Sequence, residues 1–446
     1  MSGKIHISTY GCQMNDYESD RTYRMFHDRY GFAWVDDVTQ ADLVLYNTCS
    51  IREKADHKAL SSIGDLKRIK DQRPEMIIAV GGCMAQVQGE EIQKRFPYVD
   101  LVFGTHQWKN LPDLVFQAKE SKTKQVQNEL YGWRNYDFLP YEGGQDHHPV
   151  RENITIQNGC NHFCSFCVVP FTRGREVSRP VDEILTEVKA LADRGVKELN
   201  LLGQNVNAYG TDRRASIGFA ELLFRVSNVV GIERVRFVTS HPKEMNQEIV
   251  DAMAQIPQVC KQLHLPLQSG SDVVLENMKR EYTLDRYREV YAMLKNKMPD
   301  LVLTTDMIVA FPGETEKDFE QSLQAMIEFD FDDSFSFLYS PRPHTKAAAW
   351  DQQFIPKEEG QKRLLALQAL QMELKNKHSQ MYLHKQMNVL VEASAKKQGG
   401  MLTGKTESFR TVNLKGPQAW IGQMMEVKID EVFPHSMRGS VVSNSL

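Results

Sequence analysis

Three cysteines, Cys160, Cys164 and Cys167, share the short segment NGCNHFCSFCVVP. Thiolates are the soft ligands that iron–sulfur clusters and zinc prefer, and a C-x-x-x-C-x-x-C spacing lets one loop reach several metal atoms. Three thiolates on a four-iron cube leave one iron open. An open iron can chelate the amino and carboxylate groups of S-adenosylmethionine, and an electron passed into the sulfonium then releases a 5′-deoxyadenosyl radical. The competing chemistry is tetrahedral zinc with His162 or a distant residue as fourth ligand. His162 fits that pattern poorly, because it falls inside the first interval and not in a separate ligand pair.

A second set, Cys12, Cys49 and Cys83, is spread at intervals of 37 and 34 residues. Each follows a short apolar run: KIHISTY, ADLVLYNT and EMIIAVGG. Such intervals suit βαβ units of about 30 residues or more. In a parallel sheet the strand C-termini share one edge, where open α/β folds bind ligands, so these three thiols converge. The flanks YGCQMN, NTCSIR and GGCMAQ are turn-like and polar, which suits ligands. The alternative is that each is an ordinary buried residue, since cysteine is among the most buried types. Three at equivalent strand ends favours a metal. Cys260, in QIPQVCKQLHLP, has no such partner and is expected in the core.

The elements that must position these loops are legible as an α/β chain. Four apolar runs ending in VDLVFG alternate with helix-compatible stretches and predict a flavodoxin-like parallel sheet domain over residues 3–120. A polar connector follows. NITIQ, KELNLLG, RVRFVTS, QLHLPLQ, LVLTTDMIVAFPG and FSFLYS then recur with helices between them, and predict a full or partial (β/α) barrel over 146–378. Its site would lie at the strands' C-terminal ends. Short β-prone segments with glycines between them, MNVLVEAS, FRTVNLKG and MMEVKIDEVF, predict a small β-barrel over 381–444.

At 446 residues, several domains are expected. No apolar run approaches the roughly 18 residues that cross a bilayer, and MSGKIHISTYGC is unlike a secretory leader, so a cytoplasmic protein with reduced cysteines and no membrane partner is expected. A net charge of -4 argues against a globally basic surface. From Met381 to Leu446 the balance is +3, so RNA contact is expected locally, with Lys396, Lys397, Lys405 and Arg410 on phosphate and Phe409 as an aromatic platform.

TYGCQMN, NTCSIREKA, VGGCMAQ, GCNHFCSFCVVPFTRGREVSRP, LLGQNVNAYG, HLPLQSGS and DMIVAFPGETE resemble the radical S-adenosylmethionine methylthiotransferase family over nearly the whole chain. The resemblance implies two 4Fe-4S clusters, a radical-generating one on Cys160, Cys164 and Cys167 and an auxiliary sulfur-supplying one on Cys12, Cys49 and Cys83. It also implies a C-terminal TRAM domain that grips tRNA. Gln204, Asn205, Gln268 and Ser269 become candidate S-adenosylmethionine contacts. The implied target is carbon 2 of a tRNA adenine that bears a dimethylallyl group, just 3′ of the anticodon. Two S-adenosylmethionine molecules would be used, one as methyl donor and one as radical source. An electron donor protein and cluster-repair proteins are the further partners implied, and a monomer is expected. Where the family usually carries a glycine and a proline, YSPRPHTKAAAW places His344 and Lys346. A left-handed backbone there would be costly for histidine.

Two other classes fit parts of the sequence: a non-enzymatic zinc and RNA-binding module, and a two-cluster electron carrier. Neither needs a six-unit barrel. Within the enzyme class, sister methylthiotransferases act on threonylcarbamoyl-adenosine tRNA or on a ribosomal protein.

Overall fold

The structure is a computed structural model and describes residues 3–50, 53–132, 136–141, 149–212, 214–395 and 400–443. The strands Leu43–Thr48 and Ile77–Gly82 are buried at every position, as apolar runs covered on both faces must be. They form the middle of a six-stranded, wholly parallel sheet. Its spatial order is Ala33–Trp34, Lys4–Thr9, Leu43–Thr48, Ile77–Gly82, Leu101–Phe103 and Gln125–Gln127, the flavodoxin-like order with one strand added at an edge. One face packs Val44, Ile63, Ile78 and Val80; the other packs Ile5, Phe26, Leu45 and Phe103. The two edge strands have no apolar run in the sequence, because strands of two or three residues at an edge bury too little to need one.

The second unit has six parallel strands: Arg151–Thr155, Glu198–Leu202, Arg234–Phe237, Gln262–His264, Val302–Val309 and Asp333–Leu338. A bridge between Val235 and Val259 joins its two three-stranded halves. Among the described residues the first and last strands do not pair, so the barrel is partial. Helices cover its outside, and their starts are fixed by side-chain caps such as Asn246, Thr283 and Thr315. The last unit is a closed five-stranded barrel around Val389, Val391, Val412, Leu414, Val427 and Ile429. No helix among the described residues is long and apolar enough to cross a membrane.

Buried ion pairs join these units. The helix Gln13–Tyr30 reaches from the first unit to the barrel, where Arg21 meets Glu187 at 2.7 Å and Arg179 meets the same carboxylate at 2.5 Å. At the other end of the barrel, Arg234 donates to the carbonyls of Lys405 and Asn388, both at 2.8 Å. Arg236 donates to the carbonyls of Thr406 at 2.7 Å and Glu407 at 2.5 Å. The closed barrel is therefore docked at the N-terminal ends of the parallel strands. Removing Glu187 leaves two guanidinium groups buried without their counter-charge. Glu187→Ala is expected to destabilise the junction by about 3–5 kcal/mol, read as a clear fall in melting temperature; an unchanged melting curve would show that the two arginines find other partners.

Candidate active site at the strand ends

The sheet register sets the first cysteine group. Thr9 pairs with Asn47 and Thr48 with Gly82, so Cys12, Cys49 and Cys83 leave the sheet at one edge. Cys12 caps the helix Gln13–Tyr30, and the Asn15 side chain accepts hydrogen bonds from the Cys12 backbone N–H and thiol at 3.2 and 3.4 Å. Asn15 in turn donates to the Asn47 Oδ1 at 2.7 Å and to the Thr48 carbonyl at 3.2 Å. This amide pair staples the Cys12 turn to the strand that delivers Cys49. Only glycine fits beside it: a Cβ on Gly11 would lie 2.8 Å from the Cys49 Cβ. Gly82 has φ 97°, and a Cβ there would lie 2.4 Å from the Thr48 carbonyl oxygen. Burial, with Cys49 and Cys12 nearby, pushes the Cys83 thiol up to about 12. A metal that takes the thiolate forms reverses this cost, so the donor set fits a metal cluster.

The second group lies where the first barrel strand ends. The Cys160 N–H donates to the Gly174 carbonyl at 3.2 Å, and the Cys167 N–H to the Cys164 carbonyl at 3.0 Å. Gln157 accepts from the backbone N–H groups of Gln204 and Asn205 at 3.0 and 3.1 Å, while Gln204 accepts from Gly159 N–H at 2.6 Å. These two glutamines lock the turn before Cys160 to the next strand end. Ser165 is tied to Met278 and Ala347 through its backbone, at 3.0 and 2.9 Å. Arg280, fully inside, donates to the Cys164 sulfur at 3.5 Å. Burial, with the neighbouring thiols, raises Cys160 above its ordinary range and Cys167 to about 12.

His162 is not a zinc ligand in this arrangement. Its two ring nitrogens lie 2.9 Å from Glu244 and 2.9 Å from Glu281, and its ring stacks on His241 at 4.0 Å. Burial opposes its charge, but the two carboxylates outweigh burial and raise its pKa. His162, His241 and Glu244 bring ligand atoms within 4.8 Å of one another, a closeness that an imidazolium between carboxylates accounts for without an ion.

One short turn meets both cysteine groups. Arg173 pairs with Glu18 at 2.7 Å, one turn into the helix capped by Cys12, and its neighbour Gly174 holds the Cys160 N–H. Burial opposes the Arg173 charge; Glu18 and the nearby thiols of Cys83 and Cys12 override it and hold the guanidinium protonated. Its Nη2 is buried without a protein partner among the described residues.

The four polar residues expected at S-adenosylmethionine divide. Among the described residues, both side-chain polar atoms of Asn205 and the Oε1 of Gln268 are buried without a hydrogen-bond partner, as are Ser240 Oγ and His241 Nε2 at an adjacent strand end. Orphaned polar groups at neighbouring strand ends fit a missing polar ligand. Gln204 instead holds Gly159, and Ser269 approaches the Ser322 hydroxyl at 3.3 Å and accepts from Ser271 N–H at 3.2 Å. Asn15, Asn47, Gln157, Arg173 and Arg280 escaped the sequence reading. For the first four the signal was their place inside or beside the cysteine motifs; Arg280 gave none.

The residues expected at RNA make contacts within the chain. Lys405 donates to Thr411 at 2.7 Å, and Arg410 pairs with Asp332 at 3.0 Å. The Phe409 ring takes Lys405, Arg236 and Arg151 at 4.6, 4.9 and 5.2 Å. All three residues lie at the seam under the partial barrel, where Arg234 and Arg236 hold the carbonyls of Lys405, Thr406 and Glu407. Lys396 and Lys397 lie outside the described residues.

Residues 154–326 match the Radical SAM superfamily, 4–104 the Uncharacterized protein family UPF0004, and 380–442 the TRAM domain. The radical S-adenosylmethionine methyltransferase TsrM from Kitasatospora setae, solved with cobalamin and a [4Fe-4S] cluster, is similar in fold: TM-score 0.60 at 15% identity, covering 78% of this chain and 77% of that one. OxsB, a cobalamin-dependent S-adenosylmethionine radical enzyme, gives TM-score 0.52 at 12% identity over 81% and 56%. Fold and cysteine loop thus define a radical S-adenosylmethionine protein. Among named proteins, the tRNA-2-methylthio-N(6)-dimethylallyladenosine synthases of Paraburkholderia phytofirmans and Burkholderia ambifaria are each 44% identical, over 99% of this chain and 98% of theirs. The chain belongs to the tRNA-2-methylthio-N(6)-dimethylallyladenosine synthase family.

Gly82 offers a direct check on the first cysteine group. Gly82→Ala is expected to cut the iron bound after anaerobic reconstitution from about eight to about four per chain, by displacing Cys83 and sparing the other loop; full iron in the variant would show that the strand end accommodates a Cβ.

Proposed function

We propose that the protein attaches a methylthio group to carbon 2 of N(6)-dimethylallyladenosine next to the tRNA anticodon. The turn that carries Arg173 and Gly174 is the observation behind this reading, since it meets both cysteine groups and supports one shared reaction space. When bound, two 4Fe-4S clusters and S-adenosylmethionine supply one-electron chemistry, a methyl group and sulfur to a C–H that is neither acidic nor attached to a leaving group.

The protein's residues divide the labour. Residues 146–378 carry Cys160, Cys164 and Cys167, which would hold the radical-generating cluster, while Arg280 sets a positive charge beside Cys164. Residues 3–120 carry Cys12, Cys49 and Cys83, which would hold the auxiliary cluster. Arg173, whose Nη2 has no partner among the described residues, would act on that side as a positioning group, in keeping with its electrostatic link to Cys83 and Cys12. Asn205 and Gln268 would bind S-adenosylmethionine, with Gln204 and Ser269 shaping the turns beneath them. Residues 381–444 would grip tRNA through the exposed Lys385, Lys415 and Lys428. An electron donor protein and cluster-repair proteins complete the cycle, and the chain works as a monomer in the cytoplasm.

Incubation of the reduced, reconstituted enzyme with dimethylallyl-modified tRNA should yield 2-methylthio nucleosides by mass spectrometry; product only on threonylcarbamoyl-adenosine tRNA or a ribosomal protein would move the substrate to a sister class. Cys160→Ala is expected to abolish 5′-deoxyadenosine, whereas Cys12→Ala should still form some and make no methylthio product. Complete loss of 5′-deoxyadenosine in both, with the untouched cluster still loaded, would refute the division of roles.

A further inference from the structure

The cations of the closed barrel nearest the seam are committed at the far end of the partial barrel, so the rim of the cysteine loop must make its own contacts with substrate. That rim carries two unusual features. Phe171, in the short helix Val169–Thr172 after Cys167, leaves 37% of its surface open. Its ring centroid lies 5.9 Å from that of His344, which is also exposed. His344 holds φ 66°, a left-handed conformation that histidine adopts at a cost, so the ring is presented there despite the backbone. Lys279 and Lys346 are the second feature. Ser165 of the cysteine loop bonds the backbones of their immediate neighbours, Met278 and Ala347. Those two backbone bonds, 3.0 and 2.9 Å long, bring the exposed Lys279 and Lys346 to the same stretch of rim. Among the described residues neither has a carboxylate partner. Glu281, two residues on from Lys279, is already taken by His162 and Lys243. Two like charges held together with no counter-charge repel, and a bridging anion relieves them.

We propose that Phe171, His344, Lys279 and Lys346 form a subsite for one nucleotide of the substrate RNA beside the reacting adenosine, the rings stacking on a base and the two ammonium groups bridging a phosphate. The subsite rests on the proposed function, since an RNA must reach this rim. Paired aromatics and cations are how single-stranded, unpaired nucleotides are held, and an anticodon loop offers both base faces and phosphates.

The test is fluorescence anisotropy of a labelled anticodon stem-loop RNA with the full-length reconstituted enzyme across a salt series. The Lys279→Ala, Lys346→Ala double variant should weaken binding and make the slope of log K against log salt shallower by about 0.7. His344→Gly relieves the backbone, so it should fold at least as well as the parent; it should lose at least about fivefold in affinity with the salt slope kept. Unchanged affinity and slope in both variants, with the parent enzyme still forming methylthio product, would overturn the subsite alone. RNA binding unchanged while affinity for an acidic peptide falls would overturn it as well, by assigning the lysine pair to a protein ligand. If the parent forms no product on dimethylallyl-modified tRNA, the proposed function fails instead.

Discussion

The pairing of Arg173 with Glu18 is the constraint on which the chemistry depends. A guanidinium buried this deeply needs a counter-charge, and the one it has comes from a different unit of the chain. If the units parted, each would keep a charge that neither could neutralise, a cost of several kcal/mol in settings of this kind. The pair also fixes distance. Glu18 stands within two turns of Cys12, and Arg173 is joined to Gly174, which holds Cys160. Two cysteine groups more than seventy residues apart in sequence are thereby tied to one turn of chain.

Around that tie, the polar residues of the motifs act as fasteners. Asn15 and Asn47 close on each other across two strand ends, and Gln157 and Gln204 close across two more. Each pair satisfies buried backbone groups that would otherwise be stranded where strands become turns. The turns that carry Cys12 and Cys160 therefore have their backbone polar groups held by protein partners without a metal. This is the condition for assembling a cluster at a fixed place, since loose ligands would lose ordering entropy on binding.

How much of this was legible follows from what each residue answers to. The central strands read clearly because burial on both faces forces continuous apolar runs, as in LVLYNT and IIAVGG. The short strands Ala33–Trp34 and Gln125–Gln127 answer to no such demand and left no pattern. The two cysteine groups at the strand ends were legible from type and spacing. Arg173 was not, because a lone arginine in a motif says nothing of a glutamate 155 residues away. The contacts of Lys405, Phe409 and Arg410 were not legible either. A basic and aromatic run has the composition of an RNA platform, but composition does not state direction, and here Phe409 lies against Arg236 and Arg410 against Asp332.

That packing has a consequence for how the enzyme divides binding from placement. The closed barrel docks at the N-terminal ends of the parallel strands, whereas the cysteine loop lies at their C-terminal ends. A module at one end can add affinity for a large, charged substrate through long-range attraction, which is weakly sensitive to register. It cannot place a single carbon atom. Placement to the tolerance that radical chemistry needs must come from groups fixed to the reacting end, and rigid packing around Ser165 supplies such anchoring. A residue held at the rim in a strained backbone, as His344 is, belongs with that second task.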